Sequence, residues 1–326
     1  MSTNKFDKDY EGLCISVGGM KGILQLGVIY EFWKNGQLLN LKYYAGSSVG
    51  SLLIFLLAIG YSPIEILTFS CDPKFISNFE NMNLINIKTI YGIYPQSILK
   101  DKLEELVKLK IGFIPTFEEF YEKFDKDIFI ALYKLSENNK NKRKIYAGKD
   151  TTPNMKITDA IIMSCSIPII FEKAVYNNDI YIDGGFNDSF PILYLEKQVP
   201  HNTNILGILL DTTVNNFDTF IGYITCILYT PITYPEYTDK IKSTTDILKV
   251  DIKLPTCSSV KFNISTKDKI NMFSEGFRFV QNVMQNVTNK NKTIESKNIN
   301  TSEQLTNTIN NDKDVLNKDL NKEKID

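Results

Sequence analysis

The sequence predicts an α/β fold, and three stretches carry that expectation. Leu13 to Val17 (LCISV) is a short apolar, β-branched run suited to a strand buried on both faces, and it ends in the turn Gly18-Gly19-Met20-Lys21-Gly22. Leu41 to Gly60 (LKYYAGSSVGSLLIFLLAIG) repeats the order of strand, tight turn and helix. Asn204 to Leu210 (NILGILL) is a further buried strand. Apolar strands that alternate with helices belong in a mainly parallel sheet covered by helices.

In chain order, the first glycine turn leads into GILQLGVIYEFWKNG. Its apolar positions Ile23, Leu26, Ile29 and Trp33 give a helix that stops at Gly36. The helix after the second turn, Leu52 to Ile59, is wholly apolar and so belongs in the core. Tyr61-Ser62-Pro63 opens a helix over Ile64 to Ser70, and the chain to Tyr94 is less regular. Ser97 to Leu109 is an amphipathic helix capped by Ser97, and Thr116 to Phe124 begins with a T-x-x-E capping box. Asp127 to Leu135 reads as a strand, and Lys144 to Ala147 as its hairpin partner. A helix from Thr158 runs into a small-residue stretch around Pro168, and Ala174–Tyr176 and Ile180–Ile182 form a hairpin about Asn177-Asn178-Asp179. Phe217 to Tyr237 is aromatic and apolar, either core or an interfacial surface. One more helix is expected within Lys269 to Val287, and the Asn/Lys/Thr-rich chain from Thr288 reads as low complexity and disordered.

Composition excludes several function classes. A formal net charge of −1 argues against a nucleic-acid binder, which needs a basic excess to neutralise phosphates. Five cysteines (14, 71, 165, 226, 257) are scattered with no C-x-x-C pair, and there is one histidine, so no metal site and no cofactor is expected. The cysteines read as reduced thiols, and the polar start MSTNKFDKDYEG lacks a signal-peptide pattern. The expected location is the cytoplasm. No apolar run reaches the roughly 20 residues that span a bilayer.

The second turn, Gly46-Ser47-Ser48-Val49-Gly50, matches G-x-S-x-G. A nucleophile elbow needs this pattern because only small residues let strand and helix approach around an exposed serine. Ser48 is the candidate nucleophile, placed at the positive end of the following helix. The first glycine turn is not a P-loop, since no G-K-[ST] follows, and it is an incomplete dinucleotide fingerprint. An oxyanion hole fits it, because a candidate nucleophile follows on the next strand; a plain tight βα turn remains the alternative. Asp183-Gly184-Gly185 stands at a strand end, where it is either an ordinary Asp-Gly turn or an acid held at an open backbone.

A serine nucleophile needs a base. The only histidine, His201, lies in the polar connection QVPHNTN, and the order Ser48, Asp183, His201 matches α/β-hydrolase triads. That fold, however, places more strands before its elbow. The other arrangement is a dyad in which the Asp183 carboxylate acts on Ser48 directly.

Together, the glycine loop (Gly18, Gly19, Met20, Lys21, Gly22), the elbow (Gly46, Ser48, Gly50) and Asp183-Gly184-Gly185 resemble the patatin-like phospholipase family. Thr116-Phe117-Glu118-Glu119, Ser164-Cys165-Ser166-Ile167-Pro168 with Phe171, and Pro191 are similar to lesser features of that family. One departure is Val17, where the family loop often has its first glycine. The resemblance implies a three-layer α/β/α sandwich over about residues 11 to 210. A ten-residue polar extension precedes it, and an apolar helical extension over 211–287 and the tail from 288 follow it. It implies a lipid acyl hydrolase without metal or cofactor, in which Ser48 is nucleophile and Asp183 is base. Gly18, Gly19 and Met20 would form the oxyanion hole, and Lys21 would be either a headgroup contact or a solvated lysine. The implied partners are a phospholipid or other acyl ester and a peripheral membrane surface, with no nucleic acid; no protein partner is predicted. A catalytically silent lipid-binding module on the same scaffold, or an esterase using His201, are the alternatives.

Overall fold

The structure, a computed structural model, describes residues 6–77, 79, 86–139, 142–210, 223, 242, 244–252 and 264–286. Contacts divide the chain into a main unit, Lys8–Val280, and a second unit of Met1–Asp7 and Gln281–Asp326, in which 281–286 are helical. The Phe217–Tyr237 stretch apart from Tyr223, the chain from Val287 onward, and Cys226 and Cys257 lie outside the described residues.

The main unit is built on a mostly parallel sheet. Strand β1 (Gly12–Ile15) pairs in parallel with β2 (Tyr43–Gly46) on one side and with β9 (Ile205–Leu210) on the other. β2 pairs in parallel with β4 (Asp127–Lys134), and β9 with β10 (Thr245–Val250). The far end of β4 turns antiparallel, pairing with β5 (Lys144–Ala147) and β8 (Asp179–Ile182), and β8 with β7 (Ala174–Tyr176). A separate parallel pair joins β3 (Gly92–Tyr94) to β6 (Ile169–Phe171). β10 lies beyond residue 210, where the sequence ends its catalytic stretch, and it extends the same sheet at its edge.

Helices cover both faces. α1 (Gly22–Lys34), α2 (Val49–Ala58) and α8 (Ile157–Ser164) pack against one another and on the strands of one face. On the other face, the helix α9 (Ile192–Gln198) and Phe190 bury Cys14, Ala45, Phe129 and Ile205. The result is the three-layer α/β/α arrangement, with strand residues alternating between two apolar cores. Around it lie α3 (Pro63–Ser70), the short α4 (Pro73–Ser77) and α5 (Asn86–Thr89), α6 (Ser97–Ile111) and α7 (Phe117–Phe124). α10 is the part of the last described helix within this unit, residues 266–280.

Local chemistry explains most boundaries. Ser62 and Glu65 close a capping box on α3, and Thr116 and Glu119 one on α7. Asn177 and Asn178 both have positive φ, 49° and 67°, the conformation a two-residue hairpin turn requires, and asparagine tolerates it. Ser97 is not the cap of α6: Gln96 holds that position without a side-chain cap, because its amide group is bonded to Ser166 and Glu172 instead. Trp33 stacks on Tyr30 and is 44% exposed, so the buried stripe of α1 ends before it.

α10 docks on α1 through two glycines. A Cβ at Gly27 would lie 2.0 Å from the Phe273 carbonyl oxygen, and one at Gly276 would lie 2.1 Å from the Leu24 carbonyl oxygen. The two helix backbones therefore touch directly. Gly276→Ala is expected to destabilise the protein by about 1–3 kcal/mol in denaturant unfolding, through overpacking. An unchanged midpoint would show that α10 is free to shift.

Candidate active site

The elbow is built by steric necessity. β2 ends at Gly46 and α2 begins at Val49, leaving two residues to reverse the chain. Ser48 takes φ 51° and ψ −131°, a conformation that non-glycine residues rarely adopt and that costs about 1–3 kcal/mol. Gly50 must be glycine, because a Cβ there would lie 2.3 Å from the Ile15 carbonyl oxygen of the neighbouring strand. Ser47 is buried, and its hydroxyl has no partner among the described residues.

Three elements hold the strained serine. The Ser48 amide donates to Ser164 Oγ at 2.9 Å, and Ser164 Oγ in turn donates to the Ala131 carbonyl of β4 at 2.8 Å. The Ser51 hydroxyl donates to the Ser48 carbonyl at 2.6 Å. The Ser48 hydroxyl donates to Asp183 Oδ2 at 2.7 Å. Asp183 follows β8 and caps a single 3₁₀ turn, Gly184–Phe186; its other carboxylate oxygen accepts from the Gly185 amide at 2.8 Å. Its own amide donates to the Ser166 carbonyl at 2.9 Å, and Gln96 Nε2 donates to Ser166 Oγ at 2.7 Å. Gly184 sits so tightly under β4 that a Cβ would meet the Ala131 carbonyl oxygen at 2.1 Å.

Ser48 is 3% exposed and Asp183 is fully buried. Burial raises the Asp183 carboxyl from 3.8 to about 7, against the opposing pull of the bonds from Ser48 and Gly185. A carboxyl poised there is anionic enough near neutral pH to accept a proton and weak enough an acid to be useful as a base. Cys165 lies beside it; burial, and then the Asp183 charge, push its thiol well up, so it stays protonated.

The glycine loop after β1 folds as a 3₁₀ turn, Gly19–Lys21, entered from Gly18. Its first bond runs from the Lys21 amide to the Gly18 carbonyl, so the amides of Gly19 and Met20 precede any partner within the turn. Gly19, Met20 and Gly22 line one cavity of about 140 Å³ together with Ser48, Val49 and Cys165. The rest of its wall is mostly apolar, including Ile23, Leu26, Leu53, Ile66 and Phe171, with Ser70 and Lys269 as its polar members. Hydrogen-bond donors, a hydroxyl and a buried carboxyl thus meet at the mouth of an apolar cavity, an arrangement fit for acyl transfer from an apolar ester.

The structure brings Ser48, Asp183, Gly19 and Met20 together, with Gly22, Gly46, Gly50, Gly184 and Gly185 packed around them. It does not bring His201 there. His201 is exposed just before β9, at the N-terminal edge of the parallel strands, whereas Ser48 follows the C-terminal end of β2. Lys21, a candidate headgroup contact, is 8% exposed and turned inward. Sequence reasoning assigned no task to Ser164, Ser166 or Gln96. Ser164 is 116 positions from Ser48, and no spacing rule connects them.

The model of a family described as patatin-like phospholipase matches residues 13–196. A probable lipid hydrolase of Invertebrate iridescent virus 6 is 34% identical over 199 residues, covering 57% of this chain and 63% of that protein. An uncharacterized protein of Acanthamoeba polyphaga mimivirus is 25% identical over 288 residues, covering 84% of this chain and 94% of that one. Among solved structures, the ExoU–SpcU complex from the type III secretion system of Pseudomonas aeruginosa aligns with TM-score 0.50 at 15% identity, over 86% of this chain and 52% of that one. The last likeness concerns the fold alone.

The raised Asp183 carboxyl has a consequence for stability. The folded state holds this proton between its ordinary value of 3.8 and about 7, so ionising it opposes folding, and stability from this group is lost as pH rises through that window. The loss above pH 7 is at most about 4 kcal/mol, at about 1.4 kcal/mol per unit. Asp183→Asn is expected to unfold at a higher temperature than wild type at pH 8, with the difference shrinking toward pH 4. A difference independent of pH would contradict the buried, proton-holding carboxyl.

Proposed function

The chain belongs to the patatin-like phospholipase family, and on that premise we propose that it is a lipid acyl hydrolase that cleaves fatty-acyl esters through Ser48 and Asp183. The observation that carries the reading is the 2.7 Å hydrogen bond from Ser48 Oγ to Asp183 Oδ2 at the mouth of an apolar cavity. The viral relative described as a probable lipid hydrolase supports the substrate class.

In this mechanism Ser48 Oγ attacks the ester carbonyl carbon as its proton passes to Asp183 Oδ2. The carbonyl oxygen becomes an oxyanion and accepts hydrogen bonds from the amides of Gly18, Gly19 and Met20. The N-terminus of α2 adds a favourable field. Collapse of the tetrahedral intermediate breaks the bond to the alcohol oxygen, which takes the proton back from Asp183 and leaves. The acyl chain, now esterified to Ser48, lies in the apolar cavity. Water then attacks the same carbonyl while Asp183 accepts its proton; the bond from the carbonyl carbon to Ser48 Oγ breaks as Asp183 returns that proton to Oγ, and the fatty acid departs.

Ser164 serves this scheme by consuming the Ser48 amide, which leaves the oxyanion to the glycine loop. The substrate is a phospholipid or a related acyl ester offered at a membrane surface, where the protein associates peripherally. Among the described residues no helix is long and apolar enough to cross a bilayer.

Assays on phospholipid vesicles and short p-nitrophenyl esters test the roles. Ser48→Ala and Asp183→Asn should each lower kcat by about a thousandfold or more. His201→Ala should leave kcat unchanged, and a large loss there would make the imidazole the base. A fluorophosphonate should label wild-type Ser48 stoichiometrically; an unlabelled chain that still binds vesicles would be a silent lipid-binding module.

The pH profile tests the base separately. Asp183 acts as an anion, so kcat/KM should rise with pH and level off above about 7. A profile that is flat between about pH 5 and 8 would remove Asp183 from that role.

A further inference from the structure

The cavity at Ser48 is lined in part by a residue from outside the family match, which ends at residue 196. α10 contributes Lys269, which is 1% exposed and stands in a wall made largely of Ile23, Leu26, Ile66 and Phe171. Its ammonium donates to the carbonyl oxygen of Ser70, the last residue of α3, and Ser70 lines the same cavity. Unpaired carbonyls at a helix C-terminus favour a cation, so this bond fixes the tip of the side chain. Burial holds the ammonium's pKa below the ordinary lysine value, which agrees with a head removed from water. With the head tied to α3, the aliphatic stem bridges α10 and α3 and presents methylenes to the lumen.

We propose that Lys269 is a specificity-determining residue, whose stem, pinned to Ser70, closes the acyl cavity and sets the longest fatty-acyl chain that fits. The proposal rests on the reading that the cavity receives the acyl chain of an ester. It adds that a helix beyond the family-matched part of the chain, docked through Gly27 and Gly276, decides which acyl chains are accepted. Because α10 and α1 touch backbone to backbone, the lysine stem cannot swing away with its helix without breaking that packing.

The test needs no turnover. Saturated fatty acids of increasing length are titrated into the purified full chain by calorimetry. For wild type, affinity should rise by about fourfold per methylene up to a break length and then fall. Lys269→Ala frees room for about three or four methylenes, so the break should move to chains longer by about that number. Lys269→Met keeps most of the stem but loses the bond to Ser70, so the break should move less than in Lys269→Ala. In wild type, a fatty acid of break length bearing a terminal diazirine should crosslink to peptides containing Ser70 or Lys269, a readout independent of whether variants fold. An unmoved break in folded Lys269→Ala, a break in Lys269→Met shifted as far as in Lys269→Ala, crosslinks confined to other peptides, or no fatty-acid binding in wild type would each overturn the proposal. The hydrolase reading fails by a different result, the absence of fluorophosphonate labelling at Ser48.

Discussion

The hydrogen bond between Ser48 and Asp183 joins two chain segments that meet only because β2, β4 and β8 lie side by side. Each segment is held from several directions. The serine sits in a positive-φ elbow whose amide is bound by Ser164, and the aspartate caps a 3₁₀ turn whose first glycine is pressed against β4. Ser164 touches both, since its hydroxyl bonds the elbow and the same Ala131 carbonyl that leaves no room for a Cβ at Gly184. Strain of a few kcal/mol at Ser48 persists because the surrounding packing determines the backbone on every side.

Burial gives the pair its chemistry and its cost. A fully buried carboxyl with two hydrogen-bond donors and, among the described residues, no cation bonded to it keeps its proton to about pH 7, which suits the proposed role of base. The same burial opposes folding whenever the group ionises. In the proposed mechanism the apolar cavity deepens the effect, because low polarity would strengthen each dipole aimed at a developing oxyanion. Stability given up at this site is offset by the two apolar cores on either face of the sheet.

Much of this was legible in the sequence because it is local. The steric demands of an elbow select Gly46 and Gly50, the capping boxes at Ser62 and Thr116 are four-residue patterns, and the two asparagines of the β7–β8 turn announce positive φ. Each follows from contacts within a few residues of chain. Where a residue had two local uses, the local rule misled: Ser97 reads as a cap, yet Gln96 takes the position because its side chain has distant partners in Ser166 and Glu172. Lys21 reads as either a headgroup contact or a solvated lysine, and at 8% exposure it is not the solvated one.

What the sequence determined by itself was the kind of fold and the candidate reactive groups, since apolar periodicity and glycine positions are dictated by sterics over short stretches. Only the tertiary structure decided which groups meet. It set Asp183 rather than His201 beside Ser48, because strands run parallel and His201 enters at the opposite edge of the sheet. It gave Ser164 the elbow amide, added β10 to the sheet edge, and brought Lys269 into the cavity of Ser48. Those pairings depend on register and helix docking across a hundred residues or more, and no short-range pattern encodes them.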